Sequence, residues 1–264
     1  MSWIGKLSRK SPEDFIDKAQ EFWNKGQSEQ ALATYREALH LYPGHSDVYN
    51  NMACLYHSLG AYGMGRDLLE DAIFQNPDDA DLYYNLGRAY EALGLYPDAR
   101  KAYREAIALN PFMSLAYNNL ALVLAHERDF ETAIRMLQQA IKLDPEQSRY
   151  WFNLGLYFNQ LDCTDEAIDA YVHCIELSPE DAVCCLNLGV LLVRNGNPTA
   201  ARTLYLRAVD LDPRLIPAWY NLARLAQQLG DLAEARGFYE KVLELDPHDE
   251  SARRSWRELG RLKN

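Results

Sequence analysis

The chain lacks most of the marks by which membrane, secreted, nucleic-acid-binding and catalytic proteins are recognised. No apolar run in its 264 residues approaches the roughly 20 needed to span a bilayer. The opening stretch, MSWIGKLSRK, has neither a continuous apolar segment nor a small-residue cleavage site, so no secretory signal is expected. Its 5 cysteines form an odd set without a C-x-x-C pair, which excludes a disulfide framework and points to a reducing, cytoplasmic setting. With 27 basic against 38 acidic residues, the net charge of −11 excludes nucleic-acid binding through a general basic surface. Glycine and proline (14 and 11) are too few for a linker-rich or collagenous chain. No P-loop, H-E-x-x-H, G-x-S-x-G or dinucleotide fingerprint is found, so neither an enzyme nor a cofactor is expected. What remains, 48% apolar and 25% charged residues, is the balance of an ordinary soluble globular protein.

What is present is a period. Pro43, Pro77, Pro111, Pro145, Pro179, Pro213 and Pro247 follow one another at intervals of 34 residues without an insertion or deletion. Such self-similarity decides the architecture before any local motif. It divides the chain into a tail (1–11), seven units (12–45, 46–79, 80–113, 114–147, 148–181, 182–215 and 216–249) and a terminal segment (250–264).

Within each unit the apolar spacing is helical. In the third unit Tyr83, Leu86, Gly87 and Tyr90 form an i, i+3, i+4, i+7 stripe, and Ala99, Tyr103 and Ala106 a second. Gly94 lies between them, where a chain leaving a helix takes a left-handed turn at little cost. Pro111 stops the second helix. Position 8 of the unit is always Ala or Gly, as is position 20, and position 24 is always Tyr or Leu. Small residues let two helices approach closely, and the large one fills the adjoining space. Arg128 and Asp162 replace the turn glycine in units four and five, and Gly63 and Gly65 weaken the second helix of unit two. The terminal segment puts Ala252, Trp256 and Leu259 on one face and Arg253, Arg254, Arg257, Arg261 and Lys263 on the other, as a capping helix requires.

The sequence Tyr83-x2-Leu86-Gly87-x2-Tyr90, followed by Ala99, Tyr103 and Pro111, resembles the tetratricopeptide-repeat signature, and the match recurs seven times over about nine-tenths of the chain. The resemblance implies an all-α, right-handed superhelix in which the first helix of each unit lines a concave face. It also implies a non-catalytic adaptor. The chaperone-binding repeats of this family use a carboxylate clamp with Lys at position 5. Here position 5 is Ile16, Asn50, Tyr84, Asn118, Phe152, Leu186 and Tyr220, so that clamp is absent.

Position 6, expected on the concave face, is asparagine in six successive units: Asn51, Asn85, Asn119, Asn153, Asn187 and Asn221. An asparagine amide both donates and accepts, so it can hold a peptide backbone without reading its sequence. The series resembles the asparagine ladder of the O-linked N-acetylglucosamine transferases, whose catalytic domain has no counterpart here. Leu122, Phe152, Leu156, Leu186 and Val190 add apolar surface around the ladder, Asn118 a further amide, and Arg88 and Arg224 charge at position 9. An extended chain advancing ~3.4 Å per residue along helices ~10 Å apart would meet one asparagine about every third residue. The expected partner is therefore an extended protein segment.

Other readings are weaker. A self-assembling scaffold, as in magnetosome-associated repeat proteins, would fill the same groove with a second copy and make the chain a homo-oligomer. Trp3, Ile4 and Leu7 with Lys6, Arg9 and Lys10 form a short amphipathic face that would give at most weak membrane contact. Cys54 and His57, three apart, have the spacing of an activated thiol, and His173, Cys174, Cys184 and Cys185 that of a zinc set. Their positions in the repeat read more simply as packing, so no catalytic and no metal site is expected.

Overall fold

The structure, a computed structural model, describes residues 10–261. Trp3, Ile4, Leu7 and the membrane-contact face they were expected to form lie outside the described residues, as does Lys263. Among the described residues there are fifteen α-helices and no strand. They fall into two compact bodies, divided between Leu143 and Asp144. The first body holds α1 (Pro12–Asn24), α2 (Ser28–Leu41), α3 (Ser46–Ser58), α4 (Tyr62–Gln75), α5 (Ala80–Ala92), α6 (Tyr96–Leu109), α7 (Ser114–His126) and α8 (Phe130–Leu143). The second holds α9 (Ser148–Gln160), α10 (Thr164–Leu177), α11 (Ala182–Arg194), α12 (Pro198–Leu211), α13 (Ile216–Leu229), α14 (Leu232–Leu245) and α15 (Glu250–Arg261). Odd-numbered helices up to α13 are the first helices of their units.

Each pair is joined by the same turn. Gly26, Gly60, Gly94, Gly196 and Gly230 have φ between 70° and 89°, the region open to glycine without penalty. Arg128 and Asp162 occupy the equivalent turns with φ of 62° and 56°, so the backbone shape is kept although a side chain makes it strained. The first helix of the chain begins with a reciprocal cap: the Ser11 hydroxyl accepts from the Asp14 amide at 3.3 Å, and the Ser11 amide donates to the Asp14 carboxylate at 2.7 Å. Asp79 and Asp181 cap α5 and α11 in one direction only, their carboxylates accepting from the Asp81 and Leu82 amides and from the Cys184 amide.

The two helices of a pair meet where the small residues are. Tyr103 is fully buried against Gly87, where a Cβ would lie only 2.5 Å from the ring. Gly155 meets Tyr171 and Gly189 meets Tyr205 in the same way, at 3.0 and 2.6 Å. Ring packing of Tyr84 on Tyr103, Phe152 on Tyr171 and Tyr220 on Tyr239, with centroids 5.7–6.0 Å apart, completes the seam in alternate units.

Between units, the prolyl carbonyl that ends one repeat is sealed by the next. Tyr49 donates its hydroxyl to Pro43 O (3.0 Å), and the indoles of Trp151 and Trp219 donate to Pro145 O (2.9 Å) and Pro213 O (3.0 Å). In unit six the equivalent residue is Cys185, which cannot reach, and Arg207 donates to Pro179 O instead at 2.7 Å. Arg253, from α15, donates to Pro247 O. The terminal helix buries Ala252 and Leu259, and the Arg236 guanidinium stacks 4.7 Å from the Trp256 ring.

Candidate functional site

In the first body the position-6 asparagines lie half-buried where successive first helices meet. Asn51 accepts from Gln20 of α1 at 3.0 Å and donates to Asp47 O of its own helix at 2.8 Å. Asn85 donates to the Asn50 carbonyl of α3 at 2.9 Å and accepts from Arg88 at 3.4 Å. Asn119 donates to the hydroxyls of Tyr84 and Tyr103, both at 3.4 Å, and accepts from Asn118 at 3.0 Å. The amides therefore already link one first helix to the next. An amide has two hydrogens and two lone pairs, so Asn51 and Asn85 each keep a hydrogen to offer a ligand.

In the second body Asn187 hydrogen-bonds the buried hydroxyl of Tyr171, whose pKa burial otherwise drives upward. Asn221 is half-buried beside Tyr205, which burial pushes up to about 12. At the end of the array Ser255 takes the same role towards Tyr239. A tyrosine that packs at position 24 brings a hydroxyl into the interior, and that hydroxyl needs a partner. For Tyr103, Tyr171 and Tyr239 the asparagine or serine of the following helix engages it, and Tyr103 and Tyr239 also donate to Glu91 and Gln227 of their own units. The Tyr35 hydroxyl is buried and has no hydrogen-bond partner among the described residues.

Several expected contact residues are not surface groups. Asn118 is 1% exposed, Leu186 7% and Asn153 8%, so these three are corrected from ligand contacts to interior residues. For Asn118 and Leu186, both at position 5, the reason lies in the seam, where that position packs toward the large residue of position 24, as Phe152 does on Tyr171. Leu122, Phe152, Leu156 and Val190 keep half-exposed surface on the first-helix face. Arg88 stands 5.9 Å over the Tyr84 ring, and Arg224 is exposed.

The cysteine and histidine candidates are placed as packing groups. Cys54 Sγ lies 3.9 Å from Asn85 Oδ1, while His57 turns its ring edge to Tyr62 at 5.1 Å. Burial and the nearby Arg88 charge hold the His57 pKa below its usual value. Cys174, Cys184 and Cys185 are fully buried, whereas His173 is exposed, 3.2 Å from Glu176 and packed on Trp151. Among the described residues no three His, Cys, Asp or Glu side chains are grouped as a metal site.

The helix-pair geometry has a counterpart in known sequences. Family models described as tetratricopeptide repeat match residues 15–45, 34–66, 52–114, 84–135, 118–182 and 186–250. The chain belongs to the tetratricopeptide repeat family. This TPR chain is similar to the solved C-terminal part of a TPR repeat-containing protein from Cytophaga hutchinsonii. The TM-score is 0.72 at 16% identity, over 91% of this chain and 98% of that one. PilF from Pseudomonas aeruginosa gives 0.69 at 22% identity, over 81% of this chain and 96% of its own. YrrB, described as a TPR protein with an unusual peptide-binding site, gives 0.60 at 22% identity, over 70% and 95%. At these identities the likeness is one of fold. A search among curated proteins finds no match. No helix of the described residues is long and apolar enough to cross a membrane.

Proposed function

We propose that this TPR chain is a non-catalytic adaptor whose first-helix groove holds an extended segment of a partner protein. The observation that carries the reading is the coexistence, within each body, of two kinds of surface on the first helices. Half-buried amides with hydrogen-bonding capacity left over (Asn51 and Asn85 in the first body, with Asn221 at the matching place in the second) suit a peptide backbone. Half-exposed apolar side chains at position 9 (Leu122 in the first body, Leu156 and Val190 in the second) suit ligand side chains. The peptide-binding site named for YrrB, a protein of similar fold, supports the reading.

The test begins with 15-residue peptides selected by phage display on the intact chain, their affinities measured by fluorescence polarisation. Leu156→Asp puts a charge into the apolar strip and should weaken a selected peptide tenfold or more, about 1.4 kcal/mol. Asn187→Ala alone would strand the Tyr171 hydroxyl, so it is combined with Tyr171→Phe, which removes both partners and spares the fold. That double variant should also bind more weakly while its helical circular dichroism and melting stay near wild type. If no peptide is selected, or if both variants bind like wild type, the first-helix face is not the binding surface.

A further inference from the structure

We propose that the recess between α11 and α13 is a subsite for an aliphatic side chain lying two residues from an acidic one in the bound segment. The inference rests on the peptide-binding reading above and adds the chemistry of the ligand. The recess measures about 170 Å³ and is walled by Val190, Val193 and Leu225, with Asn221, Arg194 and Arg224 at its polar side. It is close in size to the roughly 150 Å³ apolar cavity that takes up a benzene, so one aliphatic side chain fills it.

The charges around the recess choose the neighbour of that side chain. Arg194 is already compensated, with Nη2 2.9 Å from Asp162 Oδ1 and Nη1 2.8 Å from Asn159 Oδ1. Arg224 has no carboxylate within ion-pair distance among the described residues. Arg224 and Gln228 also line an open polar shelf of about 460 Å³, whose other lining residues, Tyr220, Gln227, Tyr239 and Ser255, are uncharged. The uncompensated charge beside the recess is therefore positive. Of the two arginines that line the recess, only Arg194 is paired with a carboxylate, Asp162. An acidic ligand residue beside the recess therefore meets an opposite charge.

Spacing fixes the relation of the two ligand residues. In an extended chain alternate side chains share a side and stand ~7 Å apart. Val190 and Arg224 are equivalent residues of adjacent first helices, whose axes lie ~10 Å apart, and the long arginine side chain covers the difference. The backbone between the two ligand residues then passes Asn221.

Four main pools of N-acetylated, C-amidated 15-residue peptides and two control pools, Leu-Gly-Lys and a Leu-Gly-Asn pool with a free C-terminus, test the proposal, with Ser, Thr, Gly, Asn and Ala randomised around a fixed centre. The main centres are Leu-Gly-Asp, Asp-Gly-Leu, Leu-Gly-Asn and Ser-Gly-Asp, and binding to the intact chain is read by polarisation. One of the two Leu/Asp orders should bind about fivefold more tightly than the Asn pool, the upper range for a partly exposed ion pair, and more tightly than the Ser pool, which leaves the recess unfilled. The preference for Asp should vanish in Arg224→Gln, turn towards Leu-Gly-Lys in Arg224→Glu, and shrink in 0.5 M salt. Equal binding of the Asp and Asn pools, or a preference that survives Arg224→Gln, overturns the proposal and leaves the peptide-binding reading standing. So does tighter binding of a Leu-Gly-Asn pool bearing a free C-terminal carboxylate, since the charge read would then be a chain end. Failure of every pool to bind overturns both.

Discussion

Gly87 and Gly65 occupy small-residue positions of two neighbouring helix pairs, yet adding one methyl group to each should change stability in opposite directions. At Gly65 a Cβ would meet Tyr56 Cβ at 3.5 Å and Ala53 O at 3.8 Å, both ordinary contacts. Gly65→Ala therefore gains the helix propensity that glycine forfeits, ~1 kcal/mol. At Gly87 the new atom would lie 2.5 Å from Tyr103 Cε1 and 2.6 Å from Cδ1. That ring is fully buried and its hydroxyl is held by Glu91 at 2.7 Å, so it cannot swing aside freely. Overpacking of this kind costs ~1–3 kcal/mol, against the same propensity gain of ~1 kcal/mol, and leaves a net loss of up to ~2 kcal/mol. Urea titration followed by helical circular dichroism reads both changes as shifts of the midpoint, and hydrogen exchange in α5 and α6 locates the loss. Adding Tyr103→Leu to Gly87→Ala should restore much of it, because Ala53 and Ala121 pack opposite Leu69 and Leu137 in the units that use leucine. A Gly87→Ala chain as stable as wild type would refute the packing argument.

The turns offer a second test: Arg128→Gly should stabilise by ~0.5–1 kcal/mol by relieving a left-handed residue, and Asp162→Gly by less, because it gives up the 2.9 Å pair with Arg194. Thiol labelling with Ellman's reagent should modify the half-buried Cys54 and Cys163 in the native chain, while the fully buried Cys174, Cys184 and Cys185 react only after unfolding. His57 should titrate below 6.5 by NMR, because burial first, and Arg88 second, disfavour its charged form. Its folded pKa being depressed, its contribution to stability is complete above pH 6.5 and is lost as pH falls through the folded value. Arg88→Gln should move that titration upward without returning it to 6.5, since burial remains.

The all-α repeat was legible in the sequence because each unit repeats the same physical solution: a small residue at positions 8 and 20, a large one at 24, a proline at 32. The left-handed turn at Arg128 and Asp162 shows how strongly the neighbours dictate it even where glycine is missing. The candidate site was legible only in outline. The asparagines were read as free amides because helical periodicity tells which face a residue occupies, not what the adjoining unit brings to it. The missing information is the hydroxyl of Tyr103 or Tyr171, which arrives from the preceding unit and engages Asn119 or Asn187. A signal was present: a buried tyrosine at position 24 requires a partner, and position 6 of the next unit is where one could stand. Likewise Tyr84, Phe152 and Tyr220 occur in units whose position 24 is tyrosine, the mark of a ring seam at position 5, the position at which Asn118 and Leu186 lie in the interior.

The seal on the prolyl carbonyls gives the array a direction in time. The donor for Pro43, Pro145, Pro179 or Pro213 always comes from residues later in the chain, namely Tyr49, Trp151, Arg207 and Trp219, and for Pro247 from Arg253. During synthesis a repeat that has just left the ribosome therefore keeps an open end until its successor follows, whereas its other end is already closed. Unequal cost of trimming follows from the same asymmetry. Removing units from the front exposes none of these five carbonyls, while a cut at the back that takes away Tyr49, Trp151, Arg207, Trp219 or Arg253 uncovers one, and loss of α15 also bares the apolar face that Ala252 and Leu259 cover.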